Sequence, residues 1–247
     1  MSSEGRQLAY NMKQEKEIAI IMAAGLGSRM LPLTETIAKP LIPVSGRVMI
    51  ETIIGALNKR GVDKIYVVTG YKREQFNYLV EKYPNVELLV NDEFQSVNNI
   101  SSIKTACGIL GTENCWVCEA DLLINDETIF LSEYPQSCYF GKLVPGYSDD
   151  WVFERTDQRI TNITKGGSDL YNMTGVSYWL KEDIAKVAKA VEAAYQQGAY
   201  ETLFWDEVVN RVLDEIELVV YPIASNQILE IDTAAELQAI EEALTLK

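Results

Sequence analysis

The 247-residue chain carries a formal charge of −14 and contains no histidine, which removes Ser-His-Asp triads, Cys-His pairs and imidazole metal sites together. With 36 acidic against 22 basic residues, it has no surplus of lysine and arginine for a nucleic-acid groove, which must displace counterions. A hydrophobic share of 47% suits one large globular domain, and no run approaches the roughly 20 consecutive apolar residues of a membrane span.

Residues 1–17 are polar and lack the apolar centre of a signal peptide. They read as an N-terminal tail, residues 18–247 as a single domain, and a cytoplasmic location is expected. The first strand is expected at Ile18 to Met22, where the apolar run breaks into AAGLGSRMLPLT (23–34) and then AKPLIPV (38–44). A helix at about Val48 to Lys59, a strand at Lys64 to Thr69, a helix near Arg73 to Lys82, a strand at Val86 to Val90, a helix near Asn99 to Leu110 and a strand at Cys115 to Ala120 follow. This alternation implies an α/β, Rossmann-like, mostly parallel sheet with helices on both faces. CWVC (115–118) has the spacing of half a zinc site, but residues three apart on a strand face opposite sides and no second pair exists, so the cysteines read as reduced core thiols.

After Asp126 the rhythm changes to strand-like pieces at 137–144, 151–154, 160–164 and 173–179, which read as a smaller antiparallel portion over the sheet's edge. Helices return at about 181–196 and 201–213. A strand at 217–221 and a helix at 233–244 close the chain.

In an open parallel sheet ligands bind beyond the carboxyl ends of the strands, and Met22 ends the first one. Alanine and glycine there let backbone approach a ligand closely, and successive N–H groups in such a turn form a nest for phosphate oxygens. Arg29 and Lys39 add positive charge, one as a planar fork and one as a point charge. No GKS or GKT follows, so the loop is not a Walker loop; position 30 is Met where G-x-G-x-x-G needs glycine, which disfavours an NAD-dependent oxidoreductase. A glycine pair by itself would be an ordinary tight turn. Asp121 follows CWVCEA, and Asp232 follows QILEI just before TAAE (233–236), a capping-box pattern. Each aspartate alone reads as a turn residue or helix cap. Converging, the two would suit Mg²⁺, which takes a few carboxylates together with phosphate oxygens and water.

The string AAGLGSRMLPLT followed by AKPLIPV resembles the signature of the nucleotidyltransferases that join a nucleoside triphosphate to a phosphorylated small molecule, the group that includes the sugar-1-phosphate nucleotidylyltransferases. The resemblance implies a nucleotide-diphospho-sugar transferase type of fold with a smaller acceptor-binding portion. It also implies that Ala23, Ala24, Gly25 and Gly27 wrap the nucleotide, that Arg29 and Lys39 hold the triphosphate and the leaving pyrophosphate, and that Asp121 and Asp232 bind Mg²⁺. Such chemistry needs no histidine: a phosphate monoester is already an anionic nucleophile, and in-line attack on the α-phosphorus depends on positioning and charge neutralisation.

Within that group, GYKREQFNYLVEKY (70–83), VNDEFQSVNNISSI (90–103), TGVSYW (174–179) and LFWDEVV (203–209) are similar to the bacterial CTP:phosphocholine cytidylyltransferases. This likeness implies CTP and phosphocholine as substrates and CDP-choline and pyrophosphate as products; a homodimer is compatible with it. It assigns Asn99 and Ser102 to cytosine, residues that otherwise read as a capped helix start. Choline has no N–H donor, so a protein holds it by cation–π contact, carboxylate attraction and shape. Trp151 and Trp205 are expected to supply that contact, then Tyr178, with Asp206 and Glu230 as carboxylates, although from composition alone such aromatics read as core. Tyr178 and Trp179 fall on opposite strand faces. By analogy with sugar nucleotidylyltransferases, Lys165 is expected on the acceptor's phosphate, while the glycines beside it also fit a hairpin. Two alternatives stand beside this reading. One changes the acceptor to 2-aminoethylphosphonate, phosphoethanolamine or a sugar 1-phosphate, and a primary ammonium would favour carboxylates over an aromatic box. The other is a non-catalytic nucleotide-binding regulator on the same fold.

Overall fold

From Ile18 to Ala23 every residue is apolar, and such a strand is stable where both of its faces are covered. In the computed structural model, which describes residues 15–245, Ile18 and Ile20 pack into one helical layer and Ala19, Ile21 and Ala23 into the other. This is β1 (Glu17–Ala23). Most of the expected tail, residues 1–14, lies outside the described residues, and β1 begins at Glu17, inside that span. The Glu17 carboxylate is buried, accepting from Arg60 Nε at 3.0 Å, Arg60 Nη2 at 2.8 Å and Trp116 Nε1 at 3.0 Å.

A short hairpin of β2 (Pro43–Val44) and β3 (Arg47–Val48) leads into α1 (Met49–Arg60). That helix ends at Gly61, whose φ of 91° lets its N–H turn back to Leu57 O and Asn58 O, a conformation that favours glycine. The sheet continues with β4 (Lys64–Thr69), α2 (Asn77–Lys82), β5 (Val86–Val90), α3 (Ile100–Ala106), β6 (Asn114–Glu119) and the short β7 (Leu122–Ile124). Then come β8 (Ser137–Leu143), β9 (Tyr147–Thr156), β10 (Arg159–Ser168) and β11 (Tyr171–Trp179), followed by α4 (Lys181–Gln197), α5 (Trp205–Asn210), β12 (Leu218–Pro222), β13 (Ile228–Glu230) and α6 (Ala234–Thr245).

Among the described residues nine strands form one sheet in the order β5-β4-β1-β6-β11-β8-β12-β10-β9. β5, β4, β1 and β6 run parallel. β11 enters antiparallel between β6 and β8, β12 lies parallel to β8, and the β9–β10 hairpin follows. The far end curls until β9 also meets β11, with Phe153 opposite Tyr171 and Val152 opposite Asn172. One face is covered by α1, α2 and the Phe130–Tyr134 region, the other by α3, α4 and α5. Cys115 and Cys118 face opposite layers, and all four thiols are free. Among the described residues no helix is long and apolar enough to cross a membrane.

Three helices are shorter than their periodicity predicts, the first being that expected near Arg73 to Lys82, whose opening turn, Arg73–Phe76, is a 3-10 helix. The expected helix near 99–110 is regular from Ile100 to Ala106. The expected helix at 201–213 narrows to Trp205–Asn210, because residues 201–204 are held by a distant loop: Asn98 N donates to Glu201 O at 2.8 Å, Asn98 Nδ2 to Thr202 O at 3.3 Å, and the Trp205 N–H to Asn99 Oδ1 at 2.9 Å. β9 is longer than expected, since polar residues at both its ends are recruited by pairing with β10.

Candidate active site

The carboxyl ends of β1 and β6 open into a cleft of about 630 Å³, the place where an open α/β sheet binds ligands. Ala23, Ala24, Gly25, Gly27, Arg29 and Lys39 all line it. Gly27 has φ +64° and its O accepts from Met30 N at 2.9 Å and Thr34 Oγ1 at 3.0 Å, which curls the loop into a single turn. Met30 is fully buried and anchors that turn, which explains an apolar residue where a dinucleotide loop carries glycine. A Cβ on Gly27 would stand 2.8 Å from Lys39 Cβ and 3.0 Å from Thr34 Cγ2. The Gly27→Ala variant is therefore expected to lose about 2–4 kcal/mol from left-handed strain and overpacking. Thermal unfolding checks this against Gly25→Ala, whose Cβ meets nothing within 4 Å; equal melting temperatures would count against it.

Opposite the loop, β7 pairs with β13 so that Leu122 lies across from Glu230, and the Ile231 N–H donates to Asp121 O at 3.0 Å. This small ladder is what brings the two distant aspartates together. The capping box forms as its pattern predicts: Glu236 Oε2 accepts from Asp232 N at 2.8 Å and Thr233 N at 2.9 Å, and Thr233 Oγ1 from Glu236 N at 3.2 Å. It fixes the backbone of Asp232 at the cleft's edge. Lys39, on a one-turn helix with Pro40, bridges both acids, with Nζ 2.8 Å from Asp121 Oδ2 and 2.7 Å from Asp232 Oδ1. Arg29 Nη2 reaches the same Asp232 oxygen at 2.8 Å.

Burial alone would lower the pKa of Lys39, but Asp121 and Asp232 outweigh it and hold the ammonium above its ordinary range. Burial, then the Asp121 and Asp232 charges, pushes the Glu230 carboxyl up to about 7. Glu119, which the sequence reading does not single out, also lines the cleft, and burial followed by Asp121, Asp206 and Glu230 raises it well above the carboxylate range. Asp121, Glu230 and Asp232 offer oxygens within 4.8 Å of one another, and Asp121 Oδ1 is buried without a hydrogen-bond partner among the described residues. An all-oxygen set with a spare buried lone pair and excess negative charge fits a hard divalent cation such as Mg²⁺.

Asn99 and Ser102, the residues expected to meet cytosine, line the cleft, Ser102 buried and accepting from Asn91 Nδ2 at 3.3 Å. Asn99 Oδ1 is already taken by the Trp205 N–H. Asn91 and Phe94 line the same cleft; their position just past β5 is the signal that could have found them.

Three of the residues expected to meet the acceptor, Tyr178, Trp205 and Asp206, lie elsewhere. Trp151, Lys165 and Glu230 face the cleft, but Tyr178 and Trp205 do not. Tyr178 is 3% exposed and packs on Trp116 and Tyr134 at ring distances of 5.0 and 5.4 Å. Because β11 runs antiparallel to β6, the residues after Val176 move toward the amino end of β6, away from the cleft. Trp205 is 2% exposed, wedged between Trp179 and Tyr139; its neighbour Phe204 faces the cleft instead, along with Asp149 and Asp150.

Asp206 is likewise in the core, accepting from Tyr139 Oη at 2.7 Å, and burial pushes its carboxyl up to about 7. A folded value above the unfolded one of about 3.9 means the charge is a cost that is absent below that value, grows as pH rises and is complete above about 7, on the order of 4 kcal/mol. Melting curves from pH 4 to 8 should thus show Asp206→Asn gaining on the wild type as pH rises; a constant difference would contradict the buried charge.

A family profile described as "Nucleotidyl transferase" matches residues 18–138. The 2-aminoethylphosphonate cytidylyltransferase of Lancefieldella rimae is 50% identical over 92% of this chain and 93% of its own length. The chain belongs to the nucleotidyl transferase family. The choline-phosphate cytidylyltransferase of Streptococcus pneumoniae is 32% identical over 92% of this chain and 97% of its own length. The solved structure of CTP:phosphocholine cytidylyltransferase from the same organism superposes with a TM-score of 0.87 at 31% identity, covering 93% of this chain and 99% of that one. The family profile spans the glycine loop, Lys39 and Asp121, whereas Trp151, Lys165, Phe204, Glu230 and Asp232 lie beyond it.

Proposed function

We propose that the chain is a cytidylyltransferase that transfers the cytidylyl group of CTP to 2-aminoethylphosphonate and releases pyrophosphate. The observation that carries the acceptor is the lining of the cleft's far end. Asp149 and Asp150 line the cleft together with Trp151 and Phe204, while two rings expected for an aromatic choline box, Tyr178 and Trp205, are core. A primary ammonium uses carboxylates through its three N–H donors, which trimethylammonium lacks. The likeness to a 2-aminoethylphosphonate cytidylyltransferase at 50% identity supports the same acceptor, ahead of the choline-phosphate enzyme at 32%. Phosphocholine, first in the sequence reading, accordingly becomes second.

The phosphonate is anionic at neutral pH and attacks the α-phosphorus in line, with pyrophosphate leaving and no general base required. The loop from Ala23 to Gly27 cradles the triphosphate, and Lys39 and Arg29 neutralise charge on the departing oxygens. A magnesium ion held by Asp121 and Asp232, with Glu230 beside them, would supply Lewis-acid neutralisation of the phosphate oxygens. Asn99, its carbonyl engaged by Trp205, has its amide N–H₂ left for the acceptor atoms of cytosine, with Ser102 alongside.

Pyrophosphate release measured with CTP and each candidate acceptor tests this. kcat/KM for 2-aminoethylphosphonate is expected to exceed that for phosphocholine by about tenfold or more, roughly 1.4 kcal/mol of transition-state binding. Equal or higher values for phosphocholine would reverse the acceptor assignment, and no release with any acceptor would sink the activity.

A further inference from the structure

Lys165 and Trp151 are direct partners in the β9–β10 ladder, so their side chains stand on one face. Lys165 Nζ lies 5.2 Å from the centroid of the Trp151 ring and 4.7 Å from that of Phe204. The two rings meet edge to face at 5.4 Å, and all three residues line the cleft. Aromatic faces gathered around one cation are how proteins recognise quaternary ammonium groups. Here the chain's own ammonium fills the seat.

We propose that Lys165 determines acceptor specificity by occupying the Trp151–Phe204 seat with its own ammonium, thereby excluding quaternary ammonium acceptors; this rests on the acceptor reading above. A trimethylammonium group must displace Lys165 or stand against it as a like charge, and it has no N–H with which to use the acids nearby. A primary ammonium donates to Asp149 or Asp150, which line the same cleft, and needs no aromatic seat. Lys165 therefore sorts acceptors by their hydrogen-bond donors rather than by their size.

The test compares the full-length wild type, Lys165→Ala and the double variant Lys165→Ala/Trp151→Leu, each assayed with CTP, magnesium and either 2-aminoethylphosphonate or phosphocholine. Two partly exposed cation–π contacts correspond to about tenfold in binding. Lys165→Ala is expected to raise the phosphocholine to 2-aminoethylphosphonate ratio of kcat/KM by about that factor, and adding Trp151→Leu to return the ratio toward the wild-type value. A lysine that merely held the acceptor's phosphate would lower both acceptors together. An unmoved ratio, or a gain that survives Trp151→Leu, therefore overturns the proposal. A second readout needs no turnover: tetramethylammonium titrated by NMR should bind Lys165→Ala about tenfold more tightly than the wild type, and equal binding would refute the occupied seat. If the wild type turns over neither acceptor, the acceptor reading fails while the tetramethylammonium comparison still decides the seat.

Discussion

Lys39→Ala is expected to lower kcat by about 10²–10³-fold in a pyrophosphate-release assay, the range found when a donor aimed at developing charge is removed. The same change should lower stability, because the Lys39 ammonium, with its side chain 9% exposed, is the charge shared between Asp121 and Asp232. Breaking a buried pair costs about 3–5 kcal/mol, and since the two carboxylates retain 23% and 17% exposure, about 2–3 kcal/mol is expected here. Millimolar magnesium should raise the variant's melting temperature more than that of the wild type, since the cation and the ammonium serve the same oxygens. Unchanged turnover in this variant would remove Lys39 from the mechanism.

Asp121→Asn should separate activity from stability. Turnover is expected to fall by on the order of 10³-fold, the loss associated with removing a principal transition-state charge partner. Its melting temperature, by contrast, should not fall in proportion. Asp121 is the strongest of the charges that raise both Glu119 and Glu230, so neutralising it relieves like-charge repulsion while Lys39 keeps Asp232. Functional sites commonly hold such unfavourable charge. Activity and melting temperature measured on one preparation check the pair of expectations, and wild-type turnover in Asp121→Asn would refute the metal-ligand role.

Lys39 and Asp121 are legible in the sequence alone. The glycine string, the lysine before proline, the aspartate ending a strand and the aspartate before a capping box are local patterns, and each lands where a strand or helix terminus must be. The acceptor end was not legible in the same way. Whether Tyr178 or Trp151 faces the cleft depends on β11 running antiparallel to β6 and on the sheet curling until β9 meets β11, which no local period encodes. Phe204 rather than Trp205 is at the surface of the cleft because the α5 helix starts where Asn99, far away in the chain, accepts its first N–H. Glu119 was hidden for another reason: in CWVCEA it reads as the end of a buried strand, and its burial beside three other acids becomes visible once the β7–β13 ladder is assembled.

The hydrogen bonds from Asn98 to Glu201 and Thr202, and from Trp205 to Asn99, join the cleft wall at Asn99, proposed to meet the base, to the wall at Phe204, proposed to meet the acceptor. Retargeting by grafting is thereby constrained. A chimera that replaces Asn98 and Asn99 with residues lacking a side-chain amide would remove two of the three anchors of residues 201–205, the Asn98 Nδ2 bond to Thr202 O and the Asn99 Oδ1 bond from Trp205 N, and so loosen the start of α5 beside Phe204. The two cleft walls are thus tied through three hydrogen bonds, and a substitution in 98–99 is felt at 201–205.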